Sequence, residues 1–287
     1  MSFFHQSQTK KIISFALTAG EIATKFFLEK NFEIKKKSDG SQVTSADVAV
    51  SEFLREKLAQ EFPQIPVICE EGDLREAGDI FFLIDPIDGT SSFIANSVEF
   101  AINIALVQNK KAIFGLIYAP LFEGGKMIFS DENDKVKISS SLKRSSEDLM
   151  SFSSDVELMG SSARLRRPRM TGLQIITSSR SKDSDIQTYL AQSHPEFLQN
   201  FSVEKLASAI KFFRILENDA DLYLHFRRSM EWDTAAGQAL IELLGGKVKN
   251  LFFNQSKSEI GEDLIYKKPD FENQPFVASL TDLKIYG

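Results

Sequence analysis

The chain has 287 residues, of which 43% are hydrophobic and 25 are phenylalanine, so it can bury a large core as one domain or as two packed lobes. Its formal net charge of −6 argues against broad electrostatic binding to nucleic acid or anionic lipid, and a small anionic substrate would need a local positive site. The single cysteine, Cys69, excludes an internal disulfide and fits a reducing compartment.

Helical periodicity dominates the start of the chain. Residues 11–30 and 46–62 carry apolar side chains at helical spacing, and Pro63 ends the second predicted helix. The first of these segments loosely resembles a signal peptide, but its apolar stretch is short and contains serine and threonine. An amphipathic helix is the better interpretation.

The longest mostly apolar stretch, residues 112–122, is too short to span a bilayer, which takes about 20 residues. We therefore expect a cytoplasmic protein without an integral membrane segment. Peripheral association with the inner face of the membrane stays open, because it needs only a few surface residues.

Strand signals follow the second helix. The predicted strands of the first half cover residues 67–69, 80–84, 100–107, 112–118 and 126–130. Residues 108–111 should join two of them as a hairpin. Because proline lacks a ladder donor, Pro86 should stop the strand that ends on Asp85.

From residue 131 to 170 the composition shifts to serine, lysine, arginine and acidic residues with little periodicity. The basic cluster at 164–169 is either a solvated loop or a basic patch. We predict an N-terminal α+β lobe over 1–135, a polar connection over 136–170 and a C-terminal α/β lobe over 171–287.

Strand and helix signals alternate in the predicted C-terminal lobe. The strands are expected at 173–177, 200–203 and 220–225, and the helices at 183–192, 205–217 and 234–244. Gly245 and Gly246 should cap the last helix.

The segment IFFLIDPIDGTSSF, residues 80–93, says most about function. It delivers Asp85 and Asp88 at the end of an apolar strand and continues through Gly89 into residues suited to capping a helix. Two carboxylates 4 Å apart repel by about 4 kcal/mol at an effective dielectric of 20, so the site must protonate or bind a cation. Oxygen ligands select hard ions such as magnesium, and free helix N–H groups suit a phosphate. The pattern indicates metal-assisted phosphoryl chemistry.

Other acidic residues have ordinary explanations when taken singly. Asp47 and Asp233 lie at predicted helix starts, where a carboxylate is favoured, and Glu70 and Glu71 could belong to a solvated loop. Together with residues 85–90, however, they form four motif blocks.

These blocks are residues 39–47 (DGSQVTSAD), 70–71 (EE), 85–90 (DPIDGT) and 232–237 (WDTAAG). In this order they resemble the lithium-sensitive, magnesium-dependent phosphatases of the inositol monophosphatase superfamily. The resemblance implies an α/β fold, the layered α/β/α/β/α sandwich of the inositol monophosphatase and fructose-1,6-bisphosphatase type.

Within the superfamily the chain resembles most the CysQ-type 3′(2′),5′-bisphosphate nucleotidases. The residues carrying this likeness are 91–94 with 99–106, Thr234 after Asp233, and Ser208 with Lys211 in a block like G-S-S-x-K-F. The resemblance implies magnesium-dependent hydrolysis of the 3′-phosphate of adenosine 3′,5′-bisphosphate to give AMP, a reaction of sulfur metabolism. The expected partner is a small anionic phosphomonoester, a nucleotide, and not a nucleic acid polymer.

The resemblance also implies residue roles. Two or three magnesium ions would be held by Glu70, Asp85, the Ile87 carbonyl, Asp88 and Asp233. The catalytic residues would be Asp47, Glu70 and Thr90, with Thr90 orienting the attacking water and Asp47 accepting its hydroxyl proton. Substrate contacts would come from Glu70, Ile87, Asp88, Gly89, Thr90, Ser208, Lys211 and Asp233.

Three positions depart from the nucleotidase pattern. Lys182 stands where S-R-S-H has histidine, Ala207 replaces a glycine, and His225 is the expected equivalent of an arginine ahead of W-D-T. Lys182 could replace the histidine's phosphate contact, whereas His225 could not reproduce bidentate arginine binding.

Two alternatives remain. One is an inositol-1-phosphate or sugar bisphosphate phosphatase of the same superfamily. The other is a metal or nucleotide sensor without turnover, against which stands the presence of all six motif residues: Asp47, Glu70, Asp85, Asp88, Thr90 and Asp233. A homodimer is compatible with either reading.

Overall fold

The computed structural model describes residues 3–37, 40–72, 77–140, 156–158, 172–254 and 256–281. The helices are α1 Gln6–Glu29, α2 Ser45–Glu61, α3 Thr90–Ile94, α4 Asp183–Ser193, α5 Ile210–Leu216 and α6 Glu231–Leu243. The strands of the first half are β1 Ile34–Lys36, β2 Gln42–Thr44, β3 Val67–Cys69, β4 Ile80–Asp88, β5 Ala101–Gln108, β6 Lys111–Ala119, β7 Lys126–Ser130, β8 Val136–Ser140 and β9 Val156–Leu158. Those of the second half are β10 Leu173–Ser178, β11 Phe201–Leu206, β12 Leu222–His225, β13 Ser229–Met230, β14 Lys247–Phe253, β15 Ser258–Asp263, β16 Glu272–Asn273 and β17 Phe276–Ser279.

Two large mixed sheets organise the chain. The first has seven strands in the order β3-β4-β5-β6-β7-β8-β9, and the second has six in the order β11-β10-β12-β17-β14-β15. The two-stranded pairs β1-β2 and β13-β16 lie outside them. Parallel pairing occurs between β3 and β4 and between β10 and each of its neighbours.

The helices separate and cover these sheets. Helices α1 and α2 pack on one face of the first sheet, in a core rich in phenylalanine. Helices α5 and α6 lie between the two sheets, and α4 packs on the outer face of the second. The order helix, sheet, helix, sheet, helix confirms the predicted α/β/α/β/α sandwich.

Alternation along the strands of the second sheet explains how it serves two cores. Ile175 and Leu222 lie in the core beside α4, whereas Ile176 and Tyr223 lie in the core beside α5 and α6. Because successive strand residues point to opposite faces, a nearly continuous apolar run buries both faces.

Several element boundaries differ from the sequence predictions, and two of these differences affect the site. Strand β4 does not stop before Pro86 but continues to Asp88 through an irregularity in its pairing with β5. The helix predicted over 205–217 is wrong in its first half, because β11 extends through Leu206 and α5 begins only at Ile210. Apolar spacing alone did not separate the strand end from the short helix.

The predicted polar connection contains strand structure. Strand β8 pairs with β7 and β9 pairs with β8, so both extend the first sheet. The basic cluster at 164–169 lies outside the described residues, as does Asp39 of the first motif block. The division into lobes at 135 and 171 stays a prediction.

Within the described parts of the chain, no helix joins the length to the apolar character that a membrane crossing requires.

The contact between α6 and the first sheet depends on small residues. A Cβ atom on Gly115 of β6 would lie 2.2 Å from the backbone oxygen of Ala236 on α6. Backbone atoms cannot move aside cheaply, so glycine at this position permits the close approach.

We therefore expect Gly115→Ala to lower the free energy of unfolding by about 1–3 kcal/mol, as overpacking of a tight contact does. Thermal or urea unfolding measures the change. Gly78→Ala is the matched control, because the nearest atom to its added Cβ would be the Ile80 oxygen at 3.6 Å. If Gly115→Ala and Gly78→Ala both had the melting temperature of the unaltered protein, this interpretation of the interface would be contradicted.

Candidate active site

An irregularity in β4 brings Asp85 and Asp88 to the same face of the first sheet. Asp85 pairs with Asn103 and Asp88 with Ala101, so three steps along β4 match two steps along β5. In a regular strand, residues three apart point to opposite faces. The extra residue is a β-bulge, and it turns both carboxylates toward α6.

Helix α6 supplies a third carboxylate. Asp233 lies in its first turn, where Oδ2 of Asp233 accepts a hydrogen bond of 2.8 Å from the Met230 N–H. One ligand atom from each of Asp85, Asp88 and Asp233 lies within 4.8 Å of the others. The first sheet and the layer beside it thus meet in a cluster of three carboxylates.

The electrostatics of this cluster are unfavourable without a counter-charge. Burial, followed by the negative charges of Glu70 and Asp88, raises the pKa of Asp85 well above its ordinary value. Burial and the charges of Asp88 and Glu70 do the same to Asp233. Burial also raises the pKa of Asp88, although Lys211 works against it. An all-oxygen donor set that repels itself fits a hard divalent cation such as magnesium.

Glu70 lies on the cleft beside this cluster but outside the group of three. Its N–H donates to the carbonyl oxygen of Ile84 in β4 at 3.1 Å. Its carboxylate forms an ion pair with Lys37 at 2.8 Å. Lys37 also contacts Glu71. Burial alone would lower the pKa of Lys37, but the two carboxylates outweigh it and raise that pKa. The metal role of Glu70 stays a prediction.

Thr90 and Asp47 are joined by a hydrogen bond. Thr90 Oγ1 donates to Asp47 Oδ1 at 3.0 Å and also lies 3.2 Å from the Ile87 carbonyl oxygen. The other Asp47 oxygen accepts from the N–H and the hydroxyl of Thr44, at 2.8 Å and 2.5 Å. Asp47 is buried, and burial raises its pKa although these hydrogen bonds oppose the rise. The carboxylate is held in one orientation with Thr90 as its partner toward the cleft.

Gly89 forms the turn between β4 and α3 with a φ of +94°, a conformation that favours glycine. A Cβ atom there would lie 2.8 Å from the Glu99 oxygen and 3.0 Å from Cβ of Ser208. Any side chain would therefore push against two neighbours. Glycine keeps the turn close to the 208 loop, and Gly89 lines the cleft there without a side chain of its own.

Ser208 and Lys211 lie where β11 leads into α5. The helix predicted over 205–217 would contain both residues; instead Ser208 precedes the helix with a φ of 53°, and its carbonyl accepts from the Lys211 ammonium. Lys211 Nζ also lies 5.6 Å from the Tyr223 ring. Burial lowers the pKa of Lys211 to about 8, against the attraction of Asp88 and Asp233.

Most of these groups line a cleft of about 810 Å³: Glu70, Asp85, Ile87, Asp88, Gly89, Thr90, Ser208, Lys211 and Asp233. Asp47 does not line it and reaches it through its hydrogen bond with Thr90. Sequence reasoning missed three cations on its walls, Lys36, Arg180 and Arg228. Arg180 donates to the Ser91 hydroxyl at 2.8 Å, so the arginine of S-R-S-K was the informative residue. Lys182 is not among the residues that line the cleft and is exposed at the start of α4, and its suggested phosphate contact stays a prediction.

An aromatic group forms another part of the wall. The His225 ring stacks on Phe276 with centroids 5.0 Å apart and planes at 11°, and Tyr223 packs edge-on against both. Burial, together with Lys211 and Arg227, lowers the pKa of His225 to about 3, so the ring is neutral at physiological pH. Tyr223 and Phe276 are buried, so the partly exposed His225 ring is the member of this group that faces the cleft most openly.

Comparison with known proteins gives a consistent family. A profile of the Inositol monophosphatase family matches residues 5–279. The 3′(2′),5′-bisphosphate nucleotidase CysQ of Buchnera aphidicola is 28% identical over 244 residues, covering 83% of each chain. The same-named protein of Salmonella typhimurium is 30% identical over 223 residues, covering 76% of this chain and 80% of its own.

The fold agrees with a solved relative. The crystal structure of CysQ from Bacteroides thetaiotaomicron, described as a bacterial member of the inositol monophosphatase family, superimposes with a TM-score of 0.73. It is 28% identical and covers 98% of this chain and 100% of its own. With the carboxylate cluster and the layered fold in place, the chain belongs to the inositol monophosphatase family.

Proposed function

We propose that this protein is a magnesium-dependent 3′(2′),5′-bisphosphate nucleotidase that converts adenosine 3′,5′-bisphosphate to AMP and phosphate. The observation that carries the proposal is the cluster of Asp85, Asp88 and Asp233 within 4.8 Å, next to the Thr90–Asp47 hydrogen bond. The CysQ relatives at 28% and 30% identity support the nucleotide branch.

The proposed roles follow from positions in the cleft. Asp85, Asp88 and Asp233, with Glu70 and the Ile87 carbonyl, would hold two or three magnesium ions. Magnesium would supply there a lowered pKa for the attacking water and a counter-charge for the phosphate oxygens. The protein's own contribution is orientation, because Asp85, Asp88 and the Gly89 turn lie on one continuous segment and α6, which carries Asp233, packs against the same sheet.

Thr90 would orient the attacking water, and Asp47 would accept the proton that is passed on through the Thr90 hydroxyl. The Thr90 hydroxyl already donates to Asp47, so its oxygen lone pairs can accept a hydrogen bond from the attacking water. Asp47, held by Thr44 on its other oxygen, would take the hydroxyl proton in turn. The N–H groups of Gly89 and Thr90 would bind the phosphate.

The rest of the cleft supports a nucleotide over a polyol. The partly exposed His225 ring, packed against Tyr223 and Phe276, would give a planar base an aromatic contact in the cleft. Lys211 lies beside the cluster, and Arg180 and Arg228 line the cleft, so a substrate with a second anionic group would meet positive charge. Ser208 would contact the ribose or a phosphate.

The family resemblance further implies a cytoplasmic location, a role in sulfur metabolism and sensitivity to lithium. A homodimer and peripheral association with the inner face of the membrane are both compatible with this proposal.

Phosphate release from three substrates tests the function. We expect kcat/KM for adenosine 3′,5′-bisphosphate to exceed the values for inositol 1-phosphate and fructose 1,6-bisphosphate, because only the first offers a base to the aromatic wall. The measurement is phosphate release with and without magnesium. Preference for either other substrate would overturn the nucleotidase assignment and leave the phosphatase class standing.

Asp88→Asn should reduce magnesium-dependent turnover by orders of magnitude. The substitution removes one charge from the cluster but keeps an oxygen to accept the Ala209 N–H. We expect the metal-free variant to melt no lower than the unaltered protein, because mutual repulsion in the cluster decreases. Near-unaltered turnover would exclude Asp88 as a ligand of a catalytic metal.

Thr90→Val should lower kcat by about 10²–10⁴-fold, the range for losing a proton-transfer group, while magnesium affinity stays the same. Valine keeps the shape of threonine but cannot donate to Asp47. Thr90→Ser is the matched control and should keep most of the activity because it keeps the hydroxyl. Near-unaltered kcat in Thr90→Val, or an equal loss in Thr90→Ser although it keeps the hydroxyl, would contradict the proton-transfer role of that hydroxyl.

A further inference from the structure

The most deeply buried acidic side chain near the carboxylate cluster is not one of its members. Glu231, the first residue of α6, is 0% exposed and does not line the cleft. Its Oε2 accepts from the Lys267 N–H at 2.8 Å. Its Oε1 accepts from the Lys268 N–H at 2.9 Å and pairs with the Lys268 ammonium at 2.7 Å. Both oxygens are thus engaged by one turn of the 264–271 connection.

The network continues from Lys268 back to the helix. Lys268 Nζ donates to Asn273 Oδ1 at 2.8 Å. The Asn273 amide nitrogen donates to the Met230 carbonyl at 3.0 Å and to the Thr234 hydroxyl at 2.8 Å. Asn273 is itself fully buried, and β16, which carries it, pairs with β13. A closed ring of polar contacts therefore surrounds the start of α6.

This ring holds the residue that orients Asp233. The N–H of Met230 donates to Asp233, while its carbonyl is held by Asn273. On the other side of Asp233, the Thr234 hydroxyl donates to the Glu231 carbonyl at 3.2 Å, and the Glu231 N–H donates to Phe271 at 2.7 Å. Both flanks of Asp233 are fixed by the 264–273 segment.

We propose that Glu231 is a positioning residue: by anchoring the first turn of α6 to Lys267 and Lys268, it sets the direction of the Asp233 carboxylate and thereby the affinity of the site for magnesium. The inference rests on the proposed function, since it concerns the same site. A buried carboxylate is expensive to desolvate, and apolar packing at the same place would often be as stable. What apolar packing lacks is directional bonds that define the orientation of one turn.

Asp233 is the only one of the three clustered carboxylates that does not come from β4. Its distance to the other two depends on how α6 lies against the first sheet and on where its first turn begins. Loss of a partner that orients a metal ligand typically weakens metal binding. If the first turn of α6 loses its anchor at Glu231, we therefore expect magnesium affinity to fall more than kcat at saturating magnesium.

The test is Glu231→Gln in the full chain, with magnesium binding measured by calorimetry on metal-free protein. Glutamine keeps the shape of glutamate but loses the charge that Lys268 neutralises. Both Glu231 oxygens accept hydrogen bonds, so the NH₂ group of glutamine would face a donor of Lys267 or Lys268 and lose that bond. We expect magnesium to bind about 10- to 100-fold more weakly, the range known for such partners. The magnesium-induced rise in melting temperature should shrink in parallel, and saturating magnesium should restore much of kcat.

Glu217→Gln is the matched control. Glu217 pairs with Lys126 through both oxygens, at 2.8 Å and 3.0 Å, at the far end of α5 from the cluster. We expect this variant to lose stability in the metal-free state but to keep the magnesium affinity of the unaltered protein. A purely structural role for Glu231 would give the same pattern in both variants, which would overturn the proposal.

A second variant covers failure of Glu231→Gln to fold. Lys268→Met keeps the apolar stem and leaves the two backbone N–H groups on Glu231, so it should show a smaller loss of magnesium affinity in the same direction. Unchanged affinity in this variant would also overturn the positioning role. If the unaltered protein binds magnesium and hydrolyses a phosphomonoester, that result leaves the proposed function intact; if it does neither, both proposals fall.

Discussion

The repulsion among buried carboxylates is the constraint on which the structure of this protein depends. Asp85, Asp88 and Asp233 lie within 4.8 Å of one another, at the junction of the first sheet and the helical layer next to it. Burial and neighbouring charge raise the pKa values of all three. A fold that holds such groups together must be rigid around them, and the five layers, with α6 pressed closely onto the first sheet, meet that need.

Much of the site was predictable because its chemistry is concentrated in short motifs. Asp85, Asp88 and Asp233 were expected to converge, and the Thr90–Asp47 contact was expected from the family resemblance; both are present in the structure. The layered sandwich was likewise expected from the resemblance, since strand order does not follow from periodicity. Long apolar helices and strands carried a clear signal, so most of their boundaries agree within a few residues.

What failed depended on tertiary context. Pro86 has no N–H for the strand ladder and therefore suggested a strand end. The bulge leaves this position outside the regular pairing, and the strand continues to Asp88. In S-R-S-K the sequence analysis considered Lys182 as a replacement for a histidine's phosphate contact, whereas Arg180, two residues earlier, is the residue that lines the cleft. The polar network around Glu231 joins residues more than thirty positions apart, and no local pattern indicates such a contact.

The bulge in β4 decides whether Asp85 and Asp88 lie on the same face of the first sheet or on opposite faces. Without the extra residue, the ladder with β5 would become regular and the two side chains would part to opposite sides of the sheet. One carboxylate would then enter the phenylalanine-rich core beneath α1 and α2, where its neighbours would be buried apolar side chains. Variants that change the length of β4 at this position should therefore either keep the three carboxylates together or separate them completely. A graded series with a partly weakened cluster is not expected.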